Sequence, residues 1–289
     1  MNGLNFSTSV MELIQRRYSC RKYKNQLLDY KIKDNLIEIL QGSHTNPFGG
    51  ETRFKLLDMS ELDSKEKHRL GTYGFIQGAQ NFIVGATKTS QYDLENFGYI
   101  LEEIIIHATD LGLETCWVGG TFRRSKFAAQ INIKDDEAVP AITPVGYAAK
   151  SRSNIDRLAR WVARSKSRYP WERIFFEGDC KYVLSREKAN KYERPLEMVR
   201  IAPSASNRQP WRIIKERDTH TYHFFIIGVR RWYSRFLPWP DFPRMDLGIA
   251  ICHFNLTAQE LELSGDWQVI NPNFPIPSHL EYIISWISD

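Results

Sequence analysis

Residues 98–117 read GYILEEIIIHATDLGLETCW, and residues 248–267 read GIAICHFNLTAQELELSGDW. Set side by side at an offset of 150 positions, Gly98 meets Gly248, Ala108 meets Ala258, and Leu111 and Leu113 meet Leu261 and Leu263. Trp117 meets Trp267, and Asp110 meets the chemically similar Glu260. Upstream, Gly42-Ser43-His44-Thr45-Asn46 sets against Pro203-Ser204-Ala205-Ser206-Asn207 at an offset of 161, a change that loops of unequal length account for. Two amphipathic helices can share Ala and Leu by chance. A Gly at one end and a Trp at the other, in the same order as a second matched motif, favour a duplicated domain. A period this long means two copies of a whole domain, because solenoid repeats are about 20–50 residues.

Outward from these helices the pattern alternates between helix and strand. Asp93 to Leu113 is predicted helical, with Leu94, Phe97, Ile100, Leu101, Ile104, Ile105 and Ala108 facing inward and Gly112 at the C-terminal end. Asp246 to Leu263 is its counterpart. Ser9 and Glu12 have capping-box spacing, ahead of the apolar Val10, Leu13 and Ile14. Further helices are predicted near Asp34–Leu40 and Leu196–Ala202. Strands are predicted near Phe54–Leu57, Asn81–Ala86, Ala138–Tyr147, Arg212–Lys215, Tyr222–Ile227 and Tyr282–Ile287. The basic stretch from Lys150 to Arg173 reads as a connection, giving halves at 1–165 and 166–289.

The 289 residues are 42% hydrophobic and 25% charged, which supports a buried core and a mixed, solvated surface. The net charge of +5 is modest, and no basic run interleaved with aromatics stands out, so nucleic acid is not an expected partner. Cys20, Cys116, Cys180 and Cys252 form no Cys-x-x-Cys pair and sit beside no His at metal-ligand spacing. They point to a reducing, cytoplasmic setting without a bound metal. No apolar run reaches the roughly 18 residues of a membrane span, and the first residues do not read as a signal peptide.

Two stretches could carry chemistry. Arg17-Tyr18-Ser19-Cys20-Arg21 follows the first helix and offers two guanidinium groups and a hydroxyl, a set suited to phosphate. The plain alternative is a solvated basic helix end. Ala202 to Trp211 places Pro203, Ser204, Asn207, Gln209 and Pro210 in a rigid turn with outward polar groups, which could meet a planar, amide-rich ring. The plain alternative is a helix-to-strand turn with Trp211 in the core. His44, His107 and His253 are possible acids or bases: His44 could line a cleft, and a helix-face His107 is more often structural. No Ser-His-Asp arrangement or glycine-rich dinucleotide fingerprint is evident. Asp135 and Asp136 read as loop charges.

Both stretches resemble the nitroreductase superfamily of flavin mononucleotide enzymes. The resemblance lies in Arg17, Ser19 and Arg21 (Arg-x-Ser-x-Arg/Lys), in Pro203, Ser204, Asn207, Gln209, Pro210 and Trp211 (Pro-Ser-x-x-Asn-x-Gln-Pro-Trp), and in Leu111 to Gly119 (Leu-Gly-Leu-x-Thr-Cys-Trp-x-Gly). It implies an α+β fold: two nitroreductase-like α/β/α halves, each a mixed, mainly antiparallel sheet flanked by helices, forming a pseudo-dimer within one chain. It implies FMN as cofactor and NADH or NADPH as co-substrate, with a nitroaromatic, quinone or similar small acceptor. Arg17, Ser19 and Arg21 would hold the phosphate and ribityl chain, with backbone help from Tyr18. Trp117, Val118, Gly119 and Gly120 would lie along the isoalloxazine. Arg157 and Arg160 would complete the phosphate site. Pro203, Ser204 and Asn207 would reach the flavin from the other half, as the partner subunit does in that family.

The two halves depart from the family pattern in complementary ways. The first half keeps the phosphate segment, but its turn at Gly42–Phe48 lacks Gln-Pro-Trp. The second keeps the turn but has no Arg-x-Ser-x-Arg ahead of it, and no basic tail follows its last predicted strand. One flavin per chain and a monomer are therefore expected. The alternative is a flavin-binding sensor or scaffold that has lost turnover.

Overall fold

A computed structural model describes residues 6–63, 65, 70–149, 167–228 and 241–288. Its centre is a pair of helices, α3 (Asp93–Asp110) and α7 (Phe242–Glu260). Sequence patterning predicts one inward stripe on the first. In the structure α3 is buried on all sides from Glu95 to Thr109, and α7 from Met245 to Ala258. Helices with apolar residues all round belong inside a protein rather than on its surface. Each lies between a sheet and the other helix, so no face is left for solvent.

The two glycines 150 residues apart explain how close the helices come. A Cβ on Gly98 would fall 2.2 Å from the Met245 carbonyl oxygen, and one on Gly248 would fall 2.0 Å from that of Glu95. Met245 is itself 150 positions beyond Glu95. The contact is therefore reciprocal, each glycine lying against the counterpart of the residue that faces the other, as across a two-fold axis.

Each helix is embedded in a sheet of the same order. In the first, β1 (Thr52–Asp58), β2 (Asn81–Lys88), β5 (Ile142–Gly146) and β3 (Glu114–Thr115) follow one another antiparallel, and β4 (Glu137–Ala138) pairs with the end of β2. In the second, β7 (Trp211–Lys215), β8 (Tyr222–Ile227), β10 (Leu280–Ile287) and β9 (Asp266–Gln268) do the same. The edge strand β6 (Phe175–Glu177) adds a parallel partner to β7. The long helix connects the second strand to the short edge strand in both. A single apolar cluster runs through both, from Leu13 and Ile104 to Leu247, Phe254 and Trp211.

Further helices among the described residues are α1 (Val10–Arg16), α2 (Tyr30–Gln41), α4 (Arg124–Gln130), α5 (Arg186–Ala189) and α6 (Glu193–Ile201). Two expectations change. The Ser9–Glu12 capping box does not form: Ser9 makes no side-chain cap, and the carboxylate of Glu260 accepts from Val10 N at 2.7 Å and Met11 N at 3.3 Å. A full negative charge at the N-terminal dipole is a better cap than a hydroxyl. The single strand expected over Ala138–Tyr147 is two, β4 and β5, parted at Pro140, which has no N–H to give a ladder.

Candidate functional site

The chain leaves α1 extended and runs beside the edge of the first sheet. Ser19 bridges Thr115 in parallel, and Cys20 N donates to the Thr115 carbonyl at 2.8 Å. This brings the Arg17–Arg21 segment alongside the start of the Cys116–Gly120 turn, nearly a hundred residues away in sequence. The Arg21 guanidinium lies over the Phe75 ring, 4.9 Å from its centre. Arg17 turns inward: only 6% of its side chain is exposed, and its Nε sits 3.5 Å from Glu102 Oε1. Its Nε and Nη1 are buried and make no hydrogen bond. Buried guanidinium donors without acceptors are rare in folded proteins.

The turn after β3 is fixed from several sides. Trp117 Nε1 donates to Glu102 Oε2 at 2.6 Å. Val118 N and O are both paired with Ile142, 3.0 Å each. The amides of Trp117, Gly119 and Gly120 are the donors of this turn without a partner among the described residues. Arg124, at the start of α4, donates to the carbonyls of Gly119, Val139 and Pro140 and so ties the turn to the sheet. A Cβ at Gly119 would lie 2.5 Å from Cε1 of Phe242, the first residue of α7. The second half therefore covers this glycine, and a side chain here would have to displace the Phe242 ring.

The Pro203–Trp211 turn follows α6 in the second half. Ser206, Asn207 and Gln209 have φ of 52°, 56° and 47°, a left-handed run that costs non-glycine residues about 1 kcal/mol or more apiece. Internal bonds hold it. Asn207 N donates to Ser204 O at 2.9 Å, and Gln209 N to Ser204 Oγ at 2.9 Å. Ala205 N donates to both carboxyl oxygens of Asp246, at 2.9 and 3.1 Å. Burial pushes the Asp246 carboxyl up to about 8, against the opposing pull of the Ala205 amide. The Asn207 amide accepts from Arg168 Nη1 at 2.7 Å and donates to Ser167 O at 2.6 Å.

Arg168 braces this turn from within the second half. Besides Asn207 it donates through Nε to Ile201 O at 3.1 Å. Burial, then the nearby charges of Arg17 and Arg200, bring its guanidinium down to about 10. Positive charge from the first half (Arg17) and from the second (Arg168) thus converges beside the Asn207 turn. The sequence pattern pairs Arg17 with Ser19 and Arg21 but does not single out Arg168, which is one of eight arginines and lysines in the 150–173 stretch. Arg157 and Arg160 lie outside the described residues.

Glu102 is a second residue that sequence reasoning missed. It is fully buried, and its carboxyl is held below the usual range: burial raises it, but His253, Arg17 and Trp117 together outweigh burial. His253 Nε2 lies 2.9 Å from Glu102 Oε1, so the residue pair crosses from α7 to α3. The sequence signal was there, a carboxylate inside an Ile-rich helix. His44 does not line a cleft. Its Nδ1 lies 2.6 Å from Glu103 Oε2, with both side chains buried. Asn46 is closed on its own turn, accepting from Phe48 N and Gly49 N. His107 stacks on Phe6 at 4.0 Å and is brought down to about 4 by burial and by His44. No cluster of three or more metal-binding side chains forms, and no helix is long and apolar enough to cross a membrane, among the described residues.

Comparison with known proteins settles the family. Residues 9–258 match the family model described as "Putative TM nitroreductase". The chain belongs to this nitroreductase family. A nitroreductase-family structure from Thermotoga maritima superposes with a TM-score of 0.60 at 19% identity, over 100% of this chain and 97% of that one. That likeness shows the fold: mixed α+β, with antiparallel sheets flanked by helices. An FMN-dependent nitroreductase from Clostridium difficile has a TM-score of 0.40 at 18% identity, over 50% of this chain and 92% of that one. A nitroreductase with bound FMN from Desulfitobacterium hafniense has a TM-score of 0.37 at 18% identity, over 50% and 92%. No curated protein matches the chain.

Proposed function

We propose that the protein is an FMN-dependent NAD(P)H oxidoreductase of nitroreductase type, holding one flavin where its two halves, 1–165 and 166–289, meet. The observation that carries this is Arg17: a buried guanidinium with two idle donors, beside Arg168 and the Pro203–Asn207 turn of the other half. Arg17, Ser19 and Arg21 would take the phosphate, with Arg168 close by. Trp117, Val118, Gly119 and Gly120 would flank the ring, and Pro203, Ser204 and Asn207 would close it from the second half. Bound FMN supplies hydride transfer between reduced nicotinamide and an electron-poor acceptor such as a nitroaromatic or quinone.

The chain's own part is placement. Gly119 and Gly120 leave backbone amides open to a ring edge, and the Phe242 ring lies against Gly119. No side chain is required as a nucleophile. With both wall segments inside one chain, the protein works as a monomer, and its four free cysteines suit the cytoplasm.

Arg17→Gln tests the reading. Losing a charge-assisted hydrogen bond worth about 1.5–3 kcal/mol weakens FMN binding by about 10- to 100-fold, measured by quenching of flavin fluorescence. Unchanged FMN affinity would remove the support this site gives. A second reading, a flavin-binding scaffold without turnover, is favoured by the Asn207 amide, whose two ends are already taken by Arg168 and Ser167. Acceptor-dependent oxidation of NADH or NADPH by the FMN-loaded protein decides between them, since a scaffold gives no such rate.

A further inference from the structure

Glu102 stands on α3 where the two halves join, and its side chain is wholly buried. Three groups surround its carboxylate. Trp117 Nε1, from the turn of its own half, donates to Oε2 at 2.6 Å. His253 Nε2, from the opposite half, lies 2.9 Å from Oε1. The other ring nitrogen of His253, Nδ1, lies 3.0 Å from the Met198 carbonyl oxygen. A carbonyl can only accept, so Nδ1 carries a hydrogen and the ring is fixed at both ends. Those contacts pin the carboxylate without help from Arg17.

Arg17, the third group, relates to the same carboxylate differently. Its Nε is 3.5 Å from Oε1 yet makes no hydrogen bond, and Nη1 makes none either. The arginine is held by charge while two of its nitrogen donors stay unspent. Buried ion pairs usually consume the guanidinium donors in bidentate contacts. Here the counter-charge is supplied and the donors are kept for something else. With Arg168 nearby, Arg17 and Glu102 leave net positive charge, which an incoming group with several anionic oxygens would offset.

We propose that Glu102 is a positioning residue, which fixes Arg17 by charge so that Nε and Nη1 remain available to the phosphate of a flavin held between the halves. This rests on the proposed function, and the test separates the two. Riboflavin lacks only the phosphate of FMN, so the ratio of the two affinities isolates phosphate recognition. Glu102→Gln removes the charge and keeps the shape. Its preference for FMN over riboflavin falls at least about tenfold, the size of one lost charge-assisted contact, while riboflavin affinity stays within about threefold of wild type. Glu102→Asp, which keeps the charge, recovers part of the preference.

An unchanged ratio in Glu102→Gln, or equal losses for both ligands, overturns the proposal, because a purely structural role moves both alike. If circular dichroism shows that Glu102→Gln does not fold, His253→Gln takes its place. It removes the imidazole anchor while leaving the Glu102 carboxylate itself, and a reduced ratio is again expected, an unchanged one contradictory. Should wild type bind neither flavin, the proposed function fails, and inorganic phosphate then tests Glu102 alone. Phosphate raises the thermal midpoint of wild type more than that of the variant if Glu102 positions Arg17. Equal shifts, or none in either, refute it.

Discussion

Gly98→Ala and Gly248→Ala probe the contact on which the architecture depends. An added methyl at either site meets a carbonyl oxygen of the opposing helix, at 2.2 Å from Met245 O and at 2.0 Å from Glu95 O. Ordinary contact begins near 3.4 Å, so the helices must part locally by ~1.2–1.4 Å, and a gap of that order forfeits much of the dispersion energy of the facing atoms. The obstacle is backbone, which cannot rotate aside like a side chain. Overpacking of this kind costs about 3 kcal/mol, at the upper end of the usual range, while the better helix propensity of alanine returns about 1 kcal/mol. Each variant should therefore be less stable by about 2 kcal/mol. Once one substitution has parted the helices, the second costs less, so the double variant falls short of the sum. Urea denaturation followed by circular dichroism reads all three. On an open helix face the same change would stabilise by about 1 kcal/mol. A gain in stability in either single variant would refute the close reciprocal crossing.

Two further outcomes follow from the internal correspondence. Glu262, exposed with φ of 54°, occupies the left-handed C-terminal position that Gly112 fills with φ of 76° in the first half, so Glu262→Gly should stabilise by about 0.5–1 kcal/mol in thermal unfolding. Asp246 corresponds to Asn96, and its carboxyl is pushed up to about 8 by burial. Because the native state holds this proton more tightly than the unfolded chain, its contribution to stability is lost as pH rises from about 4 to about 8. Asp246→Asn, which does not titrate there, should lose roughly 2 kcal/mol less than wild type between about pH 5.5 and pH 7 in urea titrations, and parallel pH profiles would count against the assignment.

Much of the fold is legible in the sequence because its determinants are local or repeated. The glycines, leucines and tryptophans shared by residues 98–117 and 248–267 mark two equivalent helices by pattern alone. They do not show that Gly98 touches Met245 and Gly248 touches Glu95, since pattern gives faces and not crossing points. The Ser9–Glu12 spacing reads as a local cap, and Glu260 displaces it from across the molecule. Tertiary partners of that kind leave no mark on the local sequence. At the candidate site, Arg17 and the Pro203–Asn207 turn stand out because their residue types are unusual together. Arg168 does not, being one basic residue among many in its stretch. Glu102 is hidden by the apolar pattern around it, although a carboxylate among isoleucines is the kind of buried charge that needs partners.

Flavin stoichiometry is the decisive measurement for a site shared between the two halves. The protein loaded with FMN and freed of excess is measured by visible absorbance for flavin and by amino-acid analysis for chain. One flavin per chain is predicted, because only one junction combines the idle Arg17 donors with an intact Pro-Ser-x-x-Asn turn. Two flavins per chain, or none, would contradict it.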